Sequence, residues 1–224
     1  MQNIRFPGVL HHFSLRPNTS DWAVFRQIFL EEEYAVDITK PPDIIIDAGA
    51  NIGLFTIYIK TRFPKARVIC LEPDPDNFIQ LEKNLRPYND VECLQAGLWN
   101  CNTRLRVLDK YNMGKWAMAV EPTTDHRGIE SLDMDTLMKR FNLNRLDVVK
   151  IDIEGSEKAV FAHNYERWLE RTDMIIIELH DHFIQGCART FFSATNECWP
   201  NYDYSTKGEN TVVKCVRDQD RLRP

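Results

Sequence analysis

The sequence contains no apolar run approaching the ~20 residues that a membrane-spanning helix needs. It begins with the mostly polar residues Met1 to Arg5, which lack the apolar core of a signal peptide. The formal net charge of −5 leaves no overall basic excess of the kind that marks a broad nucleic-acid-binding surface. We therefore expect a cytoplasmic protein with no membrane span and no nucleic-acid partner.

The six cysteines form no Cys-x-x-Cys pair, and none has a histidine at zinc-finger spacing. This pattern argues against a structural zinc site. Cys70 lies within an apolar segment that predicts a buried strand, where a free thiol behaves as a small hydrophobic group. We expect reduced cysteines that serve only in packing.

The size and composition are those of one globular domain, with 224 residues, 43% of them hydrophobic and 27% charged. We expect this domain at residues 41–224 and an N-terminal helical extension at residues 1–40. Residues 21–29 predict an amphipathic helix. That helix either closes over a ligand cleft as a lid or packs against the edge of a sheet.

The residues from Ile44 to Gly53 predict a buried strand that ends in a glycine-lined turn and continues into a helix starting near Asn51. Gly49 allows a tight turn and a close approach to a ligand, and Gly53 allows close packing of the helix. The spacing is Gly-x-x-x-Gly, whereas a dinucleotide site prefers Gly-x-Gly-x-x-Gly. Asp47, just before the turn, favours a cationic ligand such as S-adenosylmethionine.

A second apolar strand, residues 66–71, ends in Glu72 and Pro73. Glu72 follows Gly53 by nineteen positions. An acid about 20 residues beyond a glycine turn is placed to accept hydrogen bonds from ribose hydroxyls. Together the two motifs indicate a cofactor that contains a nucleoside.

The next segments continue the alternation of helix and strand. Residues 75–84 predict a helix, with Asp74 or Asp76 as its N-cap. A third strand, residues 91–96, runs into Gly97, and either Leu98 or Trp99 could then pack against an adenine face. Filling the core is the equally favoured alternative for Trp99.

Residues 100–130 are less regular and predict an insertion. Residues 105–108 and 116–120 could form a hairpin around a turn at residues 112–114. A helix at residues 134–141 follows, with Ser131 or Asp133 as its cap.

In residues 146–155, Lys150, Asp152 and Glu154 alternate with apolar residues. A central parallel strand is normally apolar on both faces, so buried charges in it need partners. Asp152 falls at the carboxyl end of this strand, where open α/β sheets bind ligands. A helix is expected from Gly155 to Trp168.

The fifth strand, residues 174–179, also ends near an acid, Glu178, and leads to His180. Acids therefore close four of the five strands, and we expect them to converge on one negative cleft suited to a cationic cofactor; they are Asp47, Glu72, Asp152 and Glu178. Clustered carboxylates could also hold Mg²⁺, although the sequence does not favour a metal.

Residues 202–205 and 211–216 predict a terminal antiparallel hairpin. The predicted fold is α/β, the Rossmann-like class I methyltransferase fold, with a mostly parallel seven-stranded sheet and helices on both faces. Within this class the chain resembles the FkbM-type methyltransferases from about Asp21 to Val216. The resemblance rests on five ordered segments, at residues 47–53, 71–74, 150–157, 177–180 and 207–211.

This resemblance implies S-adenosylmethionine as the methyl donor and a hydroxyl group on a sugar, polyketide or similar small molecule as the acceptor. The cofactor would contact residues of the turn and of the following strand ends, namely Asp47, Gly49, Ala50, Asn51, Gly53, Glu72, Pro73, Leu98, Trp99 and Asp152. Asp152 and His180 are the candidate general bases. Glu154, Glu178 and His180 are the candidate acceptor-binding residues, and Glu157 would order the loop beyond Asp152.

Two alternatives stay open. Tyr111 and Lys115 match the Tyr-x-x-x-Lys pair of short-chain dehydrogenases, which would indicate a nicotinamide-dependent oxidoreductase. Gly114 disfavours the helix that this pair requires. A non-catalytic member that binds a cofactor or a protein partner is the second alternative, and the charged Asp152 and Glu154 argue against it.

Overall fold

A computed structural model of the chain describes residues 1–110 and 118–217. The strands are β1 (Gln2–Ile4), β2 (Phe13–Leu15), β3 (Ile44–Ala48), β4 (Arg67–Leu71), β5 (Val91–Leu94), β6 (Ala96–Leu98), β7 (Arg104–Leu108), β8 (Ala119–Pro122), β9 (Ile129–Leu132), β10 (Leu146–Ile151), β11 (Thr172–Glu178), β12 (Tyr202–Lys207) and β13 (Asn210–Cys215). The α-helices are α1 (Asp21–Phe25), α2 (Leu54–Arg62), α3 (Pro75–Leu85), α4 (Met134–Arg140), α5 (Glu157–Val160), α6 (Glu166–Leu169) and α7 (Cys187–Cys198), and a π-helix, Arg26–Leu30, directly follows α1.

A seven-stranded sheet forms the centre of the fold, in the order β12-β13-β11-β10-β3-β4-β5. Strands β5, β4, β3, β10 and β11 are parallel, and β13 pairs antiparallel with both β11 and β12. The carboxyl ends of the parallel strands therefore meet at one edge. This sheet and its terminal hairpin confirm the predicted fold class.

Alternate residues of the central strands enter two separate cores. One core contains Ile45 and Val148 and packs against α2, α3 and the N-terminal segment. The other contains Ile46 and Val149 and packs against α4 to α7. Helices thus cover both faces, as expected for a sheet whose strands are apolar on both sides. No helix in the described ranges is long and apolar enough to cross a membrane.

The predicted third strand is wrong as a single element. β5 ends at Leu94, and β6 leaves the central sheet to pair with β9 in a second sheet of order β6-β9-β7-β8. Gly97 leaves room for the Leu105 side chain of β7, because a Cβ at Gly97 would lie 2.7 Å from a methyl carbon of Leu105. The short β6 thereby carries its residues to the edge of the cleft.

The second sheet accounts for the insertion. The expected hairpin is confirmed in part, since β7 and β8 pair antiparallel. Residues 111–117 lie outside the described residues, and they include the expected turn at 112–114 and the Tyr111 and Lys115 pair. Asp133 caps α4 by accepting a hydrogen bond from the backbone N–H of Thr136. Ser131, the other candidate cap, belongs to β9 and donates its hydroxyl to the Cys101 carbonyl.

The helix expected from Gly155 to Trp168 is wrong in length. It divides into α5 and α6, and Asn164, between them, adopts the left-handed backbone conformation with φ 62°. Asparagine enters that region more readily than most residues, which ends the helical run. The helix expected near Asn51 begins at Leu54, with Gly53 as its left-handed N-cap.

The N-terminal 40 residues are only partly helical. They contain the β1–β2 hairpin as well as α1 and the π-helix. Phe13 and Phe29 stack with ring centroids 5.6 Å apart, and both are buried in the first core. This segment is therefore packed into the domain as well as lying beside the cleft.

The aromatic contacts of α7 generate a stability test. Phe191 is fully buried against Phe161, whereas the neighbouring Phe192 is only partly buried. We expect Phe191→Ala to lower the free energy of unfolding by about 3–5 kcal/mol, because it leaves a cavity in the second core. Phe192→Ala is the matched control and should cost clearly less. Urea unfolding of both variants measures the difference, and equal losses would contradict this account of the core.

Candidate active site

A cavity opens at the edge where the parallel strands end. Ten of the residues that the sequence singled out line it, namely Gly49, Ala50, Asn51, Glu72, Pro73, Leu98, Asp152, Glu154, Glu178 and His180. They come from the ends of β3, β4, β6, β10 and β11. The expectation that the strand-terminal acids converge is therefore met by Glu72, Asp152 and Glu178.

Three of the sequence-derived residues lie elsewhere. Asp47 is fully buried beneath the turn, where its carboxylate accepts a 2.7 Å hydrogen bond from the Thr56 hydroxyl. Gly53 faces α3, since a Cβ there would lie 2.9 Å from Leu85. Trp99 is half-buried and is not part of the cavity lining. Asp47 thus acts on the cleft only through its neighbours.

The glycine turn is fixed by backbone contacts on both sides. Gly49 has φ +78°, and a Cβ there would lie 1.7 Å from the Asp152 carbonyl oxygen, so only glycine fits. The N–H groups of Gly49 and Ala50 both donate to the Leu71 carbonyl at 3.0 Å. The turn is therefore held between the ends of β4 and β10.

Glu72 is buried at the wall of the cavity. One carboxylate oxygen accepts the Asn51 N–H at 2.7 Å, and the other accepts the Asp74 N–H at 2.9 Å. Burial raises the pKa of this carboxyl to about 7, although these hydrogen bonds oppose the shift. The Asn77 side chain also hydrogen-bonds this carboxyl and lowers its pKa. Since a carboxylate has about four lone-pair sites, it can still accept a hydrogen bond from a ligand hydroxyl.

Lys150 is a site residue that the sequence reasoning did not select. Its Nζ donates to the Gly49 carbonyl at 2.6 Å and lies 3.4 Å from Asp47 and 3.6 Å from Asp152. Burial lowers the pKa of this ammonium, but Asp47 and Asp152 outweigh burial and raise the pKa above its usual value. The charged residues alternating along β10 were the available signal, because such buried charges need partners.

His180 lies at the centre of a ring of carboxylates. Its Nδ1 is 3.0 Å from Glu157, and its Nε2 is 3.3 Å from Glu154 and Glu178 and 3.8 Å from Asp152. Burial lowers the pKa of His180, but Glu157 and Glu178 outweigh burial and raise it to about 12. These carboxylates therefore favour the protonated, cationic form of the imidazole inside the acidic cleft.

The carboxylates around His180 repel one another at close range. Burial, followed by repulsion from Asp152, raises the pKa of Glu154 to about 8 and also raises that of Glu178. Donor atoms of Asp152, Glu178 and His180 lie within 4.8 Å of one another, and among the described residues these are the ones that could hold a metal ion.

The N-terminal segment and the terminal hairpin complete the cavity. The sequence reasoning did not select the residues involved, which are Val24, Gln27, Ile28, Glu33 and Tyr34 from the first segment and Glu209 from the hairpin. Leu71, Ala96, Met118 and Val120 give the opposite end an apolar lining. The amphipathic pattern at residues 21–29 indicated a buried face but not what that face contacts.

The architecture is that of a class I methyltransferase. It combines a mostly parallel seven-stranded sheet, an antiparallel terminal hairpin and a glycine turn followed by Glu72. Residues 47–205 match the Methyltransferase FkbM domain model. The chain therefore belongs to the FkbM methyltransferase family, which confirms the resemblance inferred from the sequence.

Individual proteins of known name agree with this assignment. The chain is 27% identical over 182 residues to Methyltransferase 1 of Beauveria bassiana, covering 70% of this chain and 73% of that protein. It is 24% identical over 184 residues to 2-O-methyltransferase NoeI of Sinorhizobium fredii, covering 75% and 73%. The crystal structure of Methyltransferase FkbM from Methylobacillus flagellatus KT has a TM-score of 0.59 and 16% identity, and the match covers 81% of this chain but 45% of that one. That structural likeness supports the fold alone.

The raised pKa of Glu72 predicts how stability depends on pH. Between the ordinary value of 4.5 and about 7, the folded protein holds a proton that the unfolded chain has released. The free energy of unfolding should therefore fall as pH rises through this window, by ~1.4 kcal/mol per pH unit from this one carboxyl. Glu72→Gln should flatten the curve, and the exposed Glu82→Gln should not. Urea unfolding across the window tests this, and parallel curves for wild type and Glu72→Gln would contradict it.

Proposed function

We propose that this protein transfers a methyl group from S-adenosylmethionine to a hydroxyl group of a small molecule. The observation that carries the proposal is one continuous cavity in which Glu72 lies at the wall beside the glycine turn and Asp152 and Glu178 lie at the ends of β10 and β11. A single cavity of this kind accommodates a nucleoside cofactor next to an acceptor.

The residues present fit this cofactor. Two backbone N–H groups hold the Glu72 carboxylate in place, and this carboxylate can accept hydrogen bonds from the ribose hydroxyls. Gly49 and Ala50 present bare backbone to the methionine portion, and the apolar lining at Leu71 and Leu98 suits an adenine ring. Asp47 cannot contact the cofactor amine directly, so its role is to hold Lys150 and, through it, the turn.

The bound cofactor supplies an already activated methyl group. The protein then has to align the acceptor oxygen with that methyl and remove the hydroxyl proton. Asp152 is the general base in this proposal, because it lines the cavity and its side chain retains 27% exposure. The neighbouring carboxylates raise the pKa of His180 and so disfavour it as the base; in this proposal its imidazolium orients the carboxylates of Glu154, Glu178 and Asp152 around the acceptor.

Oxygen as the methyl acceptor is supported by the name of the Sinorhizobium fredii relative, a 2-O-methyltransferase. Carboxylates close to the acceptor suit a hydroxyl nucleophile, which needs a base, better than they suit an acceptor that needs none. Residues 1–40 contribute Gln27, Glu33 and Tyr34 to the cavity, and we assign to this extension the role of a lid over the acceptor.

Cofactor binding is the first test. We expect the protein to bind S-adenosylmethionine and S-adenosylhomocysteine, but not NAD, in calorimetric titrations. Glu72→Ala should weaken both affinities by at least about tenfold, since it removes the ribose contact and the anchor of Asn51. The exposed Glu82→Ala is the control. Binding that is absent in wild type, or unchanged in Glu72→Ala, would contradict the cofactor assignment.

The role of Asp152 gives a second test. We expect Asp152→Asn to reduce methyl transfer by roughly 10²–10⁴-fold, as for removal of a general base. Affinity for S-adenosylhomocysteine should change little in comparison. Release of S-adenosylhomocysteine with a panel of hydroxylated acceptors measures the rate, and wild-type turnover by this variant would remove Asp152 from the mechanism.

A further inference from the structure

The N-terminal segment and the terminal hairpin form one end of the cavity, which we assign to the acceptor, and this end carries three carboxylates from distant parts of the chain. Glu33 comes from the N-terminal segment, Glu178 ends β11, and Glu209 lies in the turn between β12 and β13. Burial raises the pKa of the Glu33 carboxyl. Repulsion by nearby carboxylates raises it further, in the decreasing order Glu209, Glu31, Glu178 and Asp152. The fold thus assembles like charges in one place.

Two hydrogen bonds hold the N-terminal segment near Glu33 against the turn that contains Glu209. Its backbone N–H donates to the Gln27 carbonyl at 3.1 Å, and the Gln27 side chain donates to the Glu209 carboxylate at 3.2 Å. Gly208 makes room for the acid, because a Cβ at this position would lie 2.7 Å from the Glu33 carboxyl carbon. The Glu33 side chain therefore lies directly against this turn.

Among the described residues that line the cavity, the basic side chains are Lys150, His180 and His182. Lys150 is the one lysine or arginine in the described lining, and its ammonium is engaged by Gly49, Asp47 and Asp152. His180 is engaged by its own ring of carboxylates. Within the described ranges, neither Glu33 nor Glu209 forms an ion pair with lysine or arginine.

We propose that Glu33, together with Glu178 and Glu209, binds a protonated amine of the acceptor, so that the substrate class is a hydroxylated amine. This inference rests on the proposed function, because it concerns the acceptor of the same cavity. An ammonium group among carboxylates forms charge-assisted hydrogen bonds and relieves their mutual repulsion. An anionic acceptor would meet repulsion and would have no free arginine or lysine to bind it in the described lining.

The amine of the cofactor is the competing occupant, and the first experiment separates the two. S-adenosylhomocysteine is titrated calorimetrically into wild type, Glu33→Gln and the neighbouring control Glu32→Gln, whose side chain is exposed and outside the lining. We expect all three affinities to agree within about twofold. A clear loss in Glu33→Gln alone would assign the carboxylate to the cofactor and overturn the proposal. Failure of wild type to bind would instead overturn the proposed function itself.

The second experiment uses protein saturated with S-adenosylhomocysteine and three small probes that differ in charge: serinol, glycerol and glycerate. Binding is followed by protein NMR shifts. We expect serinol, an amino diol, to bind at least about tenfold more tightly than glycerol, and glycerate more weakly than either. Glu33→Gln should remove the advantage of serinol, and Glu32→Gln should keep it. Glu209→Gln, at an exposed position, is the second variant and should reduce that advantage.

Each result either supports or contradicts the proposed binding of an amine by Glu33, Glu178 and Glu209. A serinol preference that depends on Glu33 supports an amine-bearing acceptor. Equal binding of serinol and glycerol, tighter binding of glycerate, or no binding of serinol overturns it. A serinol preference that survives in both Glu33→Gln and Glu209→Gln overturns the assignment to these residues.

Discussion

The buried ammonium of Lys150 is the contact on which the geometry of the cleft depends. It joins the carbonyl of Gly49, at the end of β3, to the carboxylates of Asp47 and Asp152, which belong to β3 and to the end of β10. A lone charge at such depth would be costly, and so would the two carboxylates without it. Because each group requires the others, the glycine turn and the candidate base hold a fixed relation. The close contact between Gly49 and the Asp152 carbonyl adds a steric limit to this electrostatic one.

His180 provides a second internal cation, with a different consequence. Glu157, fully buried on α5, holds Nδ1, so the ring is oriented from behind while Nε2 faces the cleft. The balance of positive and negative side chains therefore differs between the inner and the outer part of the cleft. The inner part of the cleft has Lys150 and His180 to balance its acids, whereas the outer part at Glu33 and Glu209 has no such partner among the described residues. A cleft of this kind favours cationic over anionic molecules before any specific contact forms.

Most strands of the central sheet could be predicted from the sequence, because the patterns that identify them lie within short segments. Apolar runs that end in an acid identified β3, β4, β10 and β11, and the convergence of Glu72, Asp152 and Glu178 followed from their parallel arrangement. Features that depend on distant partners were not accessible. The departure of β6 from the central sheet depends on pairing with β9, and the charge state of His180 depends on Glu157 and Glu178. Asp47 looked like a ligand-binding acid, but its partner is Lys150, more than a hundred positions away. Helix α7 was not predicted, since its buried face is recognisable only against Phe161 and the second core.

The contact between Gln27 and Glu209 affects the order in which parts of the fold can form during synthesis. These residues are 182 positions apart, and both line the cavity at the end that we assign to the acceptor. During synthesis the N-terminal segment leaves the ribosome long before the hairpin that contains Glu209. Strands β3 and β4 can pair early, since they are neighbours in sequence as well as in the sheet, whereas the contact between Gln27 and Glu209 has a high sequence separation and forms late. A nascent chain that ends before β12 therefore lacks this contact, and the end of the cavity formed by the N-terminal segment and the hairpin is still incomplete.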